Sequence, residues 1–143
     1  VMSDLKFHLA IPVRDLQKSR EFYVKILGAT EGRSDESWID FNFFGHQLVA
    51  HLGDRNSEVS DTIENLVDGD LVPVPHFGII LDEIGWKNII HKLTESKWPF
   101  EIAPHLKFKG QPGEQWTMFL RDPSGNALEF KFFEDPSQIF ASE

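Results

Sequence analysis

An internal repeat constrains this chain more than any other feature. Phe7-His8-Leu9-Ala10-Ile11-Pro12-Val13 aligns with Pro75-His76-Phe77-Gly78-Ile79-Ile80-Leu81 at one common offset. Each apolar run reads as a strand, followed by an acidic residue suited to cap a helix (Asp15, Asp82) and by a segment of helical period. The first helix is expected from Leu16 to about Leu27, with Leu16, Phe22, Tyr23, Ile26 and Leu27 on its buried side and Gly28 ending it. The second buries Trp86, Ile89, Ile90 and Leu93, and Pro99 stops it. Three strands are expected after each helix: near Ala29–Arg33, Trp38–Phe43 and Gln47–Leu52, then from Phe100 to Pro104, Gln115–Leu120 and 127–133. Turns at 44–46 and 122–126 join the last two strands of each set.

The expected fold is therefore α+β: two βαβββ modules, 3–53 and 76–133, forming a cupped mixed sheet around a cleft. Neither module alone buries both faces of its sheet. Residues 54–75 read as an acidic linker, rich in Asp54, Glu58, Asp61, Glu64, Asp68 and Asp70. Val59, Ile63, Leu66 and Val67 recur at helical spacing there, so a short amphipathic helix is expected, closed by Pro73 and Pro75. Residues 134–143 form a polar tail in which Ile139 and Phe140 are suited to docking. A chain of 143 residues fits one structural domain overall.

With no cysteine, disulfides, thiolate nucleophiles and Cys-based zinc sites are excluded, and any metal must bind through His, Asp, Glu or water. The net charge of -9 argues against nucleic-acid and anionic-membrane partners. No apolar run approaches the roughly 18 residues of a membrane span, and no signal-peptide pattern opens the chain. Val1, ahead of Met2, reads as a remnant of expression. A cytoplasmic location is expected.

Side chains alternate faces along a strand. Aligning the last strands of the two halves on Gly45 and Gly125 sets Glu129 opposite Val49, with His51 two residues further on the same face. Four equivalent slots result: His8, Val49, His76 and Glu129. Two imidazoles and a carboxylate on strands form the ligand set of an open metal site. A carboxylate between Leu128 and Phe130 is costly to bury unless paired or metal-bound; the alternative is an alternating strand with Glu129 facing water. His51 is a further ligand, a supporting acid/base or a surface residue at a strand end. His105 precedes the 107–114 loop, either at the surface or able to swing over a pocket. Arg121 and Asp122 read as a local ion pair and turn cap, Lys107 and Lys109 as part of a solvated loop. Trp38, Phe41, Phe43, Trp116 and Phe119 either line a cleft for a flat apolar substrate or form ordinary sheet core.

Two stretches carry a resemblance. The first is Phe7 to Leu16 followed by Phe22-Tyr23-Val24-Lys25-Ile26-Leu27-Gly28. The second is Arg121-Asp122-Pro123-Ser124-Gly125-Asn126-Ala127-Leu128-Glu129. From Phe7 to about Phe133 the chain resembles the vicinal oxygen chelate superfamily, which includes glyoxalase I, extradiol ring-cleaving dioxygenases, fosfomycin-resistance enzymes and bleomycin-binding proteins. It is most similar to small single-domain members described as predicted extradiol-type dioxygenases. The resemblance implies His8, His76 and Glu129 as metal ligands, with Val49 where four-ligand members place a fourth.

Three protein ligands on a six-coordinate ion leave three positions, enough for two adjacent oxygens of a catechol-like substrate and for O₂. That favours Fe(II), with Zn, Mn or Ni as alternatives. Two positions depart from the extradiol pattern: Phe119 stands where a Tyr is usual, and Gly110, Gln111 and Pro112 occupy the region of an upstream His. The acid/base is then expected from His51 or His105. The implied function is a metal-dependent dioxygenase. The alternatives are a glyoxalase-like isomerase or lyase and a metal-free binding protein of the bleomycin-resistance type. A small-molecule substrate is expected. So is a homodimer, as such relatives are often dimers, and the cleft is completed by one chain or by two.

Overall fold

A computed structural model describes residues 4–53 and 62–143. Asp54, Glu58, Val59 and Asp61 of the acidic stretch lie outside the described residues. The fold is mixed α+β. The chain divides into two compact units: 1–61 together with 122–126, and 62–121 together with 127–143.

The first unit opens with β1 (His8–Val13), then a helix, then β2 (Thr30–Ser34), β3 (Trp38–Phe43) and β4 (His46–Leu52), in sheet order β1-β4-β3-β2. β1 runs parallel to β4, and β3 antiparallel to it. The helix starts as α1 (Leu16–Arg20), capped by the Asp15 carboxylate accepting from the Lys18 amide, and widens into a π-helical stretch, Glu21–Ile26. The wider turn, closed by Leu27 N–H to Phe22 carbonyl, brings Phe22, Tyr23 and Leu27 inward together. That explains why Leu16 and Ile26, expected on the same side, are only partly covered. Gly28 ends the helix at φ 85. The sheet is two-sided. Ile39, Phe41, Phe43, Leu48 and Ala50 are core, whereas the ladder sets His8, Gln47 and Asn42 side by side on the other face, with Pro12, His51 and Trp38 on that face as well.

The second unit repeats the plan around β7 (Ile80–Leu81), α2 (Glu83–Glu95), β8 (Ile102–Lys107), β9 (Gln115–Arg121) and β10 (Ala127–Phe132), in order β7-β10-β9-β8. Asp82 caps α2 by accepting from the Gly85 amide, and Trp86, Ile89 and Leu93 are its buried residues. The strand expected over 76–81 is regular only at its end. Upstream the backbone follows β10 through Phe77, whose carbonyl accepts from Glu129 and whose amide donates to Ala127.

The segment read as a helical linker is a β-hairpin instead, β5 (Ile63–Val67) and β6 (Asp70–Val74). Asp68 and Gly69 form its two-residue turn at φ 43 and 86, the left-handed geometry that Asp-Gly favours and that suits strand twist. β8 also runs further than expected, to Lys107, and so takes that lysine out of the following loop.

Candidate metal and anion pocket

Strand pairing builds one polar face on the second sheet. Glu129 on β10 stands opposite Phe119 on β9, and Lys131 opposite Thr117; Thr117 in turn faces His105 on β8, and Gln115 faces Lys107. The intervening residues, Trp116, Met118, Leu120, Leu128, Phe130 and Phe132, point the other way, and Phe132 meets Trp86 of α2. A run of seven residues thus supplies core on one side and chemistry on the other.

Glu129 is 7% exposed. Its Oε1 lies 3.1 Å from His76 Nε2 and 3.8 Å from Lys131 Nζ, and its Oε2 accepts from the Thr117 hydroxyl. Burial pushes the carboxyl up, but hydrogen bonds from His76 and Thr117 and the Lys131 charge outweigh it and hold Glu129 below its ordinary value. His76 is raised, chiefly by its hydrogen bond to Glu129, against partial burial. The ring of His76 packs edge-on against Phe119, centroids 5.0 Å apart.

His76 Nδ1 lies 2.6 Å from the Pro73 carbonyl, an acceptor only, so Nδ1 carries a proton and donates. In the neutral ring Nε2 then turns a lone pair toward a carboxylate, which only a proton or a cation between them reconciles. Two donors each about 2.1 Å from one ion, at a right angle, stand roughly 3 Å apart, close to the observed separation. The pair therefore fits adjacent ligands of a divalent metal, with Pro73 and Thr117 as the outer partners that orient them.

A metal-free sample gives a pH test. The raised His76 favours the folded state fully below its ordinary value of 6.5 and loses that contribution as pH rises through the folded value. The lowered Glu129 favours it above its ordinary 4.5 and loses it as pH falls. In EDTA-treated protein, the stability difference between wild type and Glu129→Gln should be largest between those two values, about 1 kcal/mol, and shrink on both sides. A difference independent of pH in urea titrations would refute the pairing.

The sequence candidates distribute as follows. His76 and Glu129 are brought together. His8, exposed, opens β1 in the first unit, and Val49 and His51 occupy the same sheet face as His8, Val49 buried and His51 exposed. Within each unit, no group of three or more His, Asp or Glu among the described residues is arranged to hold a metal. His105 does not swing over a pocket: its Nε2 lies 2.7 Å from Asp70 Oδ2 and its Nδ1 2.8 Å from the Ala103 carbonyl. Where an ion pair with Asp122 is expected, the Arg121 guanidinium engages Glu101, while the turn cap expected of Asp122 is present, its Oδ1 accepting from the amides of Ser124 and Asn126. Lys107, expected in a solvated loop, is 3% exposed, with Nζ 3.2 Å from Asp70 and 5.7 Å from the centroid of Phe119. Phe41 and Phe43 are core around Tyr23, while Phe119 lines the pocket.

Sequence reasoning missed the hairpin's part. Asp70 holds His105 and Lys107, and the Asp68 carboxylate accepts from the Phe108 amide at 2.8 Å. Val67 and Val72 cover a cavity of about 160 Å³ that His76, Glu129, Lys107 and Lys131 line. The local signal of the hairpin is Val67-Asp68-Gly69-Asp70, an Asp-Gly between apolar runs.

The model of the glyoxalase/bleomycin resistance protein/dioxygenase superfamily matches residues 7–130. Among solved structures, a glyoxalase/bleomycin resistance protein/dioxygenase from Alicyclobacillus acidocaldarius is 35% identical, with a TM-score of 0.79 over 95% of this chain and 96% of that one. Two others share the fold. The fosfomycin resistance protein FosX from Mesorhizobium loti is 14% identical, with a TM-score of 0.64 over 93% of this chain and 95% of that one. Lactoylglutathione lyase from Agrobacterium tumefaciens is 18% identical, with a TM-score of 0.63 over 90% and 92%. The superfamily includes metalloenzymes. No helix among the described residues is long and apolar enough to cross a membrane. The match over most of the chain, on a repeated βαβββ plan, establishes that it belongs to the glyoxalase/bleomycin resistance protein/dioxygenase superfamily.

Proposed function

We propose that the protein is a metal-dependent enzyme acting on a substrate with two adjacent oxygens, with His76, Glu129 and His8 as ligands. One observation carries this reading: His76 Nε2 and Glu129 Oε1 face each other at 3.1 Å with the histidine tautomer fixed by Pro73. His8 enters from the sequence repeat, as the counterpart of His76. The finer reading is an Fe(II) ring-cleaving dioxygenase of the extradiol type on a catechol-like substrate. Fe(II) held by three protein ligands supplies Lewis acidity, reactivity toward O₂ and open positions for substrate oxygens.

The chain's own residues then have separable roles. Thr117 donates to Glu129 Oε2 and so leaves Oε1 for the ion. Phe119 forms an apolar wall beside His76, with no hydroxyl of the kind extradiol enzymes usually place there. His51, on the His8 face of its sheet, is the proposed acid/base; His105 is tied to Asp70 and holds the hairpin.

The test is metal analysis of protein purified anaerobically, wild type beside Glu129→Ala. Wild type should retain about one ion per chain and the variant should bind at least 100-fold more weakly, with catechol-dependent O₂ uptake in the iron form alone. A redox-inert ion with isomerase or lyase turnover would replace the dioxygenase reading by the glyoxalase-like one. Absence of metal, with a His8→Ala variant still binding small molecules, would overturn the enzyme reading altogether.

A further inference from the structure

We propose that the cavity beneath the β5–β6 hairpin is a subsite for the anionic end of a small substrate, held by the ammonium groups of Lys107 and Lys131. The subsite itself stands on the two lysines; that its ligand is a substrate rests on the metal-enzyme reading above.

Lys107 is the unusual residue. A lysine 3% exposed is rare, since its charge is expensive to remove from water. This one does not reach back to solvent. Asp70, from the hairpin, sets a carboxylate oxygen 3.2 Å from Nζ as an ion pair, while the face of Phe119 lies 5.7 Å away. Asp70 is shared with His105 at 2.7 Å, so the carboxylate spreads its charge over two partners and leaves the ammonium protons incompletely engaged.

Lys131 is held more loosely. Its Nζ is 3.8 Å from Glu129 Oε1, outside direct hydrogen-bond range, and its side chain is 34% exposed. Both lysines line the same cavity of about 160 Å³ as His76 and Glu129. At roughly 30 Å³ per water that space suits one oxyanion and a few carbons.

Charge arithmetic points the same way. Lys107 and Lys131 balance Asp70 and Glu129. A divalent ion on His76 and Glu129 would then leave the cavity positive, matched by an anion carried on the substrate. Lysine is a point charge without the planar preference of a guanidinium, so the shared chemistry is an oxyanion, either carboxylate or phosphate.

Titration calorimetry decides, with inorganic phosphate and malonate as separate probes, on EDTA-treated and on Zn²⁺-loaded protein. Saturable binding near one per chain is expected. It should weaken at least tenfold in Lys131→Gln and in Lys107→Met combined with Asp70→Asn, the second change removing the carboxylate whose charge Lys107 balances. Whichever probe binds more tightly identifies the anion. Metal content of Lys131→Gln is measured in the same samples so that a lost ion is not taken for a lost anion site, and that partly exposed position decides the matter if the buried double variant does not fold. No saturable binding to wild type in either form, or equal affinity in wild type and Lys131→Gln, overturns the subsite. Lysine-dependent anion binding by a chain that takes up no metal would uphold the subsite and sink the metal reading; metal uptake with lysine-independent anion binding would do the reverse.

Discussion

Gly78→Ala is expected to prevent the second unit from folding normally, at a cost above about 4 kcal/mol. A methyl group at Gly78 would lie 1.6 Å from the carbonyl oxygen of Glu129, 2.6 Å from its carbonyl carbon and 3.2 Å from its nitrogen. These atoms belong to the backbone of β10, an inner strand paired with β9 on its other side, so they cannot yield as a flexible side chain does. Making room must open the approach of 77–79 to β10, which the Glu129 amide to Phe77 carbonyl bond at 2.8 Å and the Lys131 amide to Ile79 carbonyl bond at 3.1 Å hold shut. The same displacement would carry the Glu129 carboxylate away from His76. Thermal unfolding should show a midpoint lowered by on the order of 10 °C or more, or no soluble protein. Gly53→Ala is the control: among the described residues its added carbon meets only the Val13 carbonyl oxygen, at an ordinary 3.7 Å, and the midpoint should hardly move. A Gly78→Ala midpoint within about 3 °C of wild type would refute the close approach.

The glycine also shows where sequence reading stops. Strands, helices and caps were legible because periodicity and capping chemistry are local: Asp15 and Asp82 cap as expected, and Gly28 ends the first helix. The repeat sets His76 as the counterpart of His8 and Glu129 as the counterpart of Val49, and His76 and Glu129 do meet. What local pattern did not carry was partnership across distance. Nothing near Lys107 announces Asp70, and nothing near Arg121 announces Glu101 in preference to the adjacent Asp122. The hairpin is hidden in the sequence for a different reason. Its apolar side chains are largely exposed, Ile63, Leu66 and Leu71 among them, so burial does not impose period two on the sequence, and a helical spacing arose without a helix.

Asp122→Ala should be the second large effect, about 3–5 kcal/mol, and it is felt in the first unit, to which the turn 122–126 belongs. Asp122 is 4% exposed, and both its oxygens are fully used. Oδ1 accepts from the amides of Ser124 and Asn126, at 2.8 and 2.9 Å. Oδ2 accepts from the Tyr23 hydroxyl at 2.8 Å and from Asn126 Nδ2 at 2.9 Å. Asn126 Nδ2 also donates to the Pro12 carbonyl, and the Ser124 hydroxyl oxygen accepts from the Arg14 amide, so the carboxylate organises a turn that in turn ties down the end of β1. Truncation strands a buried phenol and two amides. Tyr23→Phe removes one donor only, and Asn126 still supplies Oδ2; its cost should be about 1–2 kcal/mol. Because the two residues share a bond, the double variant should fall short of the sum by about 1 kcal/mol, and strict additivity in urea titrations would refute the contact. Burial raises Asp122 above its ordinary value despite four donors, so only the titrating part of its contribution is fully present below that value and is lost as pH rises through the folded one, while the four hydrogen bonds its oxygens accept remain. Glu129, whose value is lowered, should therefore contribute to acid unfolding where Asp122 does not, and substituting Asp122 should leave the acid limb of the stability profile in place while lowering the whole curve.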